Sequence, residues 1–577
     1  MIDRRSKKNI WKFIFTEKRS FILLVSLIPL FVYINRFLIP DYSFDTLFYH
    51  LFNGVRGAHN YLWPFSPSEF YPIGFGTIAP IYDVLLYVSR LLLGYRLGTV
   101  LDLIAYIGIV WVTYELIVRL VNFKIKIAGT LKLIFFLNSV IVTELLFQLA
   151  TQYVDVINAF FILLSIYTLI VFIDTHKIVY LWLASIILSM AFLGKATNAI
   201  YVIPFYVVAV IDILLEKHRS WKLKIGILTL VCIIISVPTL IYWYYNFDLS
   251  GNPLFPAYNN IFHSLYSAPI SFSAKQGGAG GQTLLQIIFW PVASFWHTAG
   301  LAEPHTIFND WKLGIYWLIS MVLFIPVLWK KLTKTEQYLI IFFFLSTELW
   351  SFLFGIMRYA ADDIIIGGVV LLIFFIRISI LLGIKAYFLA IPLVLLMIID
   401  NYRIVNFNLK YDMSWRPNLI HNTSLYLSQR NNLFNNYLSY PTSVSNEINN
   451  SQILLDCVHQ SAGLIALSGY SSKPVLGIAN EAPTEAITGQ IKYREMAARK
   501  ILNIYHQNVL TFTTFAITTG LDVEYKSCLQ DLSSMGATVD KIVPLNSFLG
   551  YSGEKPVVII GKINLTSYIN SSALVQP

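Results

Sequence analysis

Apolar runs close to the length of a bilayer span recur along the first 400 residues, separated by polar breaks. A helix needs ~20 mainly apolar residues to cross ~30 Å of hydrocarbon. On that measure the pattern predicts spans at 20–39, 97–120, 127–148, 153–173, 178–193, 197–215, 224–244, 311–329, 335–354, 362–382 and 386–400. Two other apolar stretches, 76–93 and 284–298, carry Gly, Pro or charged residues and read either as spans or as helices along the interface. Beyond residue 400 the pattern changes. Residues 401–577 are polar, rich in Asn and Ser, with β-type runs at Ile453–Leu455 and Val557–Ile560 and a helical pattern near 484–506. The expected architecture is an all-α polytopic membrane domain over 20–400, with about 11 transmembrane helices and surface helices in its first outer loop. A short N-terminus, 1–19, precedes it and a C-terminal extracytoplasmic α/β domain, 401–577, follows.

Composition strengthens the membrane reading. Mean hydropathy is +0.63 and only 13% of residues are charged, too few to cover a soluble surface of this size. Tyr (35) and Trp (13) suit interfacial belts. A net charge of +10 raises the question of nucleic acid, but the Lys and Arg lie in short loops between apolar runs, where they set topology. Arg4, Arg5, Lys7, Lys8, Lys12, Lys18 and Arg19 place the N-terminus in the cytoplasm. If 76–93 does not span, Lys124/Lys126, Lys177, Lys217/Arg219/Lys222/Lys224, Lys330/Lys331/Lys334 and Lys385 also fall inside; if it does, all of them move outside. The first assignment fits the positive-inside rule, so 76–93 is expected on the outer surface and 401–577 outside the cell, in a multi-pass protein of the plasma (inner) membrane. An outer location permits a Cys457–Cys528 disulfide; two separate thiols are the alternative.

With this orientation, the outer face holds the candidate chemistry. The loop from Pro40 to Arg96 opens with Asp41 and Asp45, at headgroup level directly after the first span. A carboxylate there can act as a general base or hold a divalent metal, whereas the bland reading is a helix cap. Asp155 stands at the outer end of the fourth span, where an ionisable group must snorkel, pair or work. Lys195 and Arg358 are outer cations against the charge bias. Each can hold phosphate oxygens; the alternatives are snorkelling for Lys195 and an ion pair with Asp362 or Asp363 for Arg358. Glu115 and Arg119, four residues apart near a cytoplasmic helix end, read as a structural pair. The run Gly277-Gly-Ala-Gly-Gly281 lacks the Lys-Ser/Thr of a phosphate loop and reads as a flexible outer loop.

At these residues the chain resembles the GT-C superfamily of membrane glycosyltransferases, in the bacterial branch related to protein mannosyltransferases and aminoarabinose transferases. The resemblance rests on Asp45-Thr-Leu-Phe-Tyr49-His50-Leu51, on Tyr71-Pro72 leading into a surface helix, on Gly194-Lys195-Ala196-Thr197, on Arg358-Tyr359, and on the loop Gly251-Asn-Pro-Leu-Phe-Pro256. It covers residues 20 to about 380. It implies transfer of a sugar from a polyprenyl-phosphate donor, undecaprenyl in a bacterium, to a lipid, glycan or protein acceptor. Asp45 would be the base and Asp155 the second acid. Lys195 and Arg358 would contact the carrier phosphate, and Asp41, Tyr49, His50 and Tyr359 would line the substrate. Asp45 and Asp155 could hold a divalent cation, Mg or Mn. Relatives carry a further acid just after the Tyr-Pro segment, where this chain reads Ile73-Gly-Phe-Gly76; Glu69 is the acid that could replace it. Three rivals remain on sequence grounds: a transporter or flippase of a lipid-linked sugar, a polymerase or ligase of lipid-linked glycans, and a non-enzymatic scaffold. The absence of inverted repeats and of midplane acids speaks against a transporter.

Overall fold

The computed structural model describes residues 17–37, 46, 50–59, 79–94, 96–120, 129–254, 258–263, 283–293, 311–382, 442–456, 475–477, 498–499, 501–518, 523–544 and 555–574, with a few positions between 391 and 402. Its N-terminal part is a helical bundle: α1 (Glu17–Phe37), α2 (Leu51–His59), α3 (Ile81–Leu93), α4 (Val100–Leu120), α5 (Gly129–Val140), α6 (Thr143–Gln148), α7 (Asp155–Thr175), α8 (Ile178–Gly194), α9 (Ala199–Leu215), α10 (Trp221–Ser250), α11 (Trp311–Leu323), α12 (Lys334–Leu353) and α13 (Ala361–Leu382), with shorter helices between. Among the described residues, five stretches are long and apolar enough to cross a membrane: Leu97–Leu120, Asp155–Thr175, Ala196–Leu215, Trp221–Asp248 and Met357–Leu382. The protein is therefore a multi-pass membrane protein.

Two of the expected spans are not single helices. The run 127–148 breaks between α5 and α6 at Ile141–Val142, and 311–329 stops at Leu323 before a separate turn at Pro326–Trp329. Proline at the first position of a helix lacks the N–H that a continuing helix would need. The stretch 284–298 forms only two short helices, Leu284–Ile288 and Trp290–Ala293, and 386–400 lies largely outside the described residues.

Side-chain contacts fix the direction of the helices. At one end, Arg119 at the end of α4 donates to Asp174 of α7 (2.7 Å), which also accepts from Thr335 of α12. Arg119, expected to pair with Glu115, thus reaches a neighbouring helix. Asp212 of α9 meets Lys334 (2.6 Å), and Arg377 of α13 meets Glu336. Glu336 also completes a capping box with Thr333 that starts α12. Since α4, α7, α9 and α13 all finish at this end, their first residues gather at the other. α7 sits centrally, with 78% of its apolar window buried, whereas α10 has 28% and lies at the lipid-facing edge.

α3 does not span. Its 13 residues reach only ~20 Å, and both ends stay near the starts of the spans. Ser89 donates to the carbonyl of Gly98 just before α4 (2.7 Å), while Tyr82 lies against Gly194 at the end of α8. α2 packs on α3 so closely that a Cβ on Gly54 would meet the Asp83 carbonyl at 2.6 Å.

The C-terminal part contains a five-stranded sheet: β1 (Ile453–Asp456), β2 (Val475–Gly477), β3 (Val509–Thr518), β4 (Ala537–Pro544) and β5 (Lys555–Asn564), in the order β2-β1-β3-β5-β4. β1 is parallel to β2 and β3, while β5 is antiparallel to β3 and β4. Alternate residues such as Ile453/Leu455 and Leu510/Phe512 point to one core shared with Cys528 and Tyr568. Cys528 is disulfide-bonded and Cys232 is free; Cys457 lies outside the described residues.

Candidate active site at the gathered helix starts

Asp155 is the first residue of α7, where unsatisfied N–H groups and the helix dipole favour a carboxylate. Lys195 follows α8 in extended backbone and leads into the turn Ala196–Asn198. Arg358 and Tyr359 sit in the turn Met357–Ala360 between α12 and α13. These segments are far apart in sequence, yet Lys195 Nζ donates to Asp155 Oδ1, and Arg358 Nε stands 3.9 Å from Asp155 Oδ2. The cations also share aromatic faces. Lys195 Nζ lies 4.4 Å from the Tyr359 ring centre, and the Arg358 guanidinium lies 5.5 Å from that ring and 5.2 Å from Tyr153. Tyr201 holds the turn by donating to the Tyr359 carbonyl (2.9 Å).

α3 supplies a second tier. At Gly194 a Cβ would come within 2.0 Å of the Tyr82 ring, so only glycine lets that ring seat beside Lys195. The next residue, Asp83, is buried and lies 2.7 Å from His50 Nδ1. Gln152 donates its side-chain amide to the Asp83 carbonyl (3.1 Å) and its backbone N–H to Thr46 Oγ1 (3.3 Å). The His50 ring meets Tyr153 edge-on at 5.5 Å. Asp83, His50, Tyr153, Arg358, Asp155 and Lys195 therefore form one continuous cluster. Burial pushes the Asp83 carboxyl above the usual carboxylate range, opposed by His50 and Lys195 and reinforced by the charge of Asp155.

Beneath Asp155 lies a recess of about 10 Å³ whose walls include Asn158, Thr197, Asn198, Tyr201 and Asp362. It has room for about one water, and both amide atoms of Asn158 and Oδ1 of Asp362 lack protein hydrogen-bond partners there. Asp363, a sequence candidate for pairing with Arg358, accepts from Ser346 instead. Beside the cluster a cavity of about 460 Å³ runs between α3, α4 and α7, lined among the described residues by Leu85, Leu101, Ile104, Ala105, Ile107, Gly108, Trp111, Ile157, Phe160 and Phe161. Leu85, Ile104 and Trp111 are exposed, so this groove opens at the outside of the bundle.

The chain is similar to solved structures that include the following. ArnT from Cupriavidus metallidurans bound to undecaprenyl phosphate is 11% identical with a TM-score of 0.47, over 94% of this chain and 98% of that one. The apo oligosaccharyltransferase of Archaeoglobus fulgidus is 12% identical with a TM-score of 0.48, over 91% and 73%. No family model and no curated protein matches the chain. Likeness at this level leaves function to the chain's own residues.

Asp41, Asp45, Tyr49 and Glu69, and the Gly277–Gly281 run, lie outside the described residues. Among the described residues no group of three His, Cys, Asp or Glu is placed to hold a metal ion. The carboxylate of Asp155 faces Lys195 and Arg358. The sequence reading passed over Tyr82, Asp83, Tyr153 and Asn158. A signal for the first two was present: the buried stripe of α3 comprises Tyr82, Asp83, Leu86, Ser89 and Arg90, while Leu85, Leu91 and Leu92 are exposed.

Proposed function

We propose that the protein is a polyprenyl-phosphate-sugar-dependent glycosyltransferase acting at the outer face of the plasma (inner) membrane, with its N-terminus in the cytoplasm and residues 401–577 outside. The observation that carries this reading is the convergence of Lys195 and Arg358 on Asp155 at the membrane-helix starts, beside an apolar groove open at the outside of the bundle. Two cations held ready by one carboxylate suit a phosphate whose lipid tail stays in the bilayer. A groove lined by apolar side chains suits that tail.

In this mechanism Lys195 and Arg358 bind the carrier phosphate and stabilise the charge it gains on leaving. Asp155 positions both cations. Asp45 takes the acceptor proton, and the acceptor displaces the phosphate at the anomeric carbon in one step, with inversion. Asp41, Tyr49, His50 and Tyr359 line the substrate. Asp45 and Glu69 enter this reading from the sequence alone.

The test is transfer of radiolabel from a polyprenyl-phosphate sugar to a membrane lipid extract by the purified protein. Label should move with wild type and fall by ~10²-fold or more with Asp45→Asn. Near-wild-type transfer by that variant would remove Asp45 as base. Label that stays on the carrier with every protein, in an extract known to contain acceptor, would favour a transporter of the lipid-linked sugar.

A further inference from the structure

Three of the gathered helix starts close around the small recess beneath Asp155. Asp155 and Asn158 line it from α7, Thr197 from the turn before α9, and Asp362 from the first turn of α13. Its floor is buried and polar. Asn158 is 2% exposed and Asp362 4%. Among the described residues, neither amide atom of Asn158, nor Oδ1 of Asp362, nor Oδ2 of Asp155 has a hydrogen-bond partner. Its rim is partly exposed and includes Thr197 together with Lys195 and Arg358, the two cations assigned above to the carrier phosphate. Buried polar groups without partners are costly, and three residues rarely leave them facing one space unless something enters it. We infer that the recess is a specificity subsite that takes one hydroxyl of the donor sugar, held by Asn158 and Asp362. This rests on the glycosyl-transfer reading and deepens it.

The chemistry of the floor selects the group. Asp155 Oδ2, Asn158 Oδ1 and Asp362 Oδ1 can each accept, and Asn158 Nδ2 donates. A phosphate oxygen only accepts, and three oxygens would face it. An ammonium only donates, leaves Nδ2 unanswered and stands against Lys195 and Arg358. A hydroxyl does both: it donates to an oxygen of the floor and accepts from Nδ2. Size selects as well. About 10 Å³ is the room of about one water, so a hydroxyl fits, whereas an acetamido or hydroxymethyl group in its place does not. Reach agrees with both. The cations on the rim hold the phosphate, and the phosphate carries the anomeric oxygen, so the sugar is tethered at the mouth of the recess. The implied donor is a sugar with a free hydroxyl at the position that enters. No bond forms or breaks in the recess, so Asn158 and Asp362 decide which donor is taken.

The test is kcat/KM for transfer to a membrane lipid extract by the purified full chain. The donors are polyprenyl-phosphate glucose, galactose, mannose and xylose, followed by the monodeoxy analogues of whichever sugar is transferred. With wild type, removing the hydroxyl that enters the recess should lower kcat/KM by about 10–150-fold, because the floor is then left unpaired. An acetamido group at that position should block transfer. Asn158→Ala, and Asn158→Leu of similar size, should lower kcat/KM for the parent sugar by the same order, and should no longer distinguish it from the analogue lacking that hydroxyl. A wild type that transfers every monodeoxy analogue within about threefold of the parent overturns the inference, since a recess that holds only water gives that result. So do variants that slow all donors alike and keep the wild-type discrimination, which marks a residue that only supports the fold. If neither variant is monodisperse after purification, the wild-type series decides alone. No transfer from any of the four sugars by wild type, in an extract known to contain acceptor, would instead remove the glycosyl-transfer reading itself.

Discussion

Replacing Asp155 should damage the protein more than replacing Lys195, although the two form one ion pair. Asp155→Asn takes the carboxylate from both cations, since Lys195 loses its ion-pair partner and Arg358 loses the carboxylate 3.9 Å away. Lys195→Met leaves Asp155 still facing Arg358. Side chains here are 9–16% exposed, so screening is weak and breaking the pair from the carboxylate side should cost about 3–5 kcal/mol. Lys195→Met should cost less, about 1–3 kcal/mol. The double variant removes one charge of each sign, and its loss should fall short of the sum by up to about 3 kcal/mol. The assay is the apparent melting temperature of wild type, both single variants and the double variant in one detergent at one heating rate. Losses that add to within about 0.5 kcal/mol would refute the idea that Asp155 is the shared anchor. A binding arm separates structure from function. If Lys195 holds the carrier phosphate, Lys195→Met should weaken binding of polyprenyl phosphate by about 10–150-fold, from a charge-assisted hydrogen bond of about 1.5–3 kcal/mol.

Gly194→Ala would drive a methyl to within 2.0 Å of the Tyr82 ring. It should cost about 1–3 kcal/mol and displace Lys195, and Tyr82→Leu in the same protein should recover part of the melting temperature. No loss in the single variant would show that Tyr82 does not seat there. Asp83 gives a pH signature. Burial raises its folded pKa, so the folded state binds the extra proton. Its contribution to stability is full below the ordinary carboxylate range and is lost as pH rises through the raised value. Asp83→Asn should therefore show a flatter fall of melting temperature across that window than wild type, and parallel curves would contradict the burial argument.

The alternation of apolar runs and charged loops was sufficient to announce a multi-pass bundle, because the bilayer allows little besides long apolar helices to cross it. It was also sufficient to single out Asp155, Lys195 and Arg358, because an ionisable group at a span end needs a reason in a chain this poor in charge. It placed the β-type runs at 453–455 and 557–560 within strands of the C-terminal sheet. The partners of those groups were not legible. Asp155 read as a fellow acid of Asp45, whereas the fold sets two cations on it, and residues 40 and 203 positions apart meet there only because α7, α8 and α13 bring those ends together. α3 read as an amphipathic surface helix, which is half of the answer. In a soluble protein its apolar side would face the core and its polar side water. Here Leu85, Leu91 and Leu92 face outward, and Asp83 and Arg90 are buried in the protein, because lipid takes the place of water outside and only the bundle can satisfy a charge. Which carboxylate meets His50 is thus a property of helix packing and depth, and sequence periodicity carries neither.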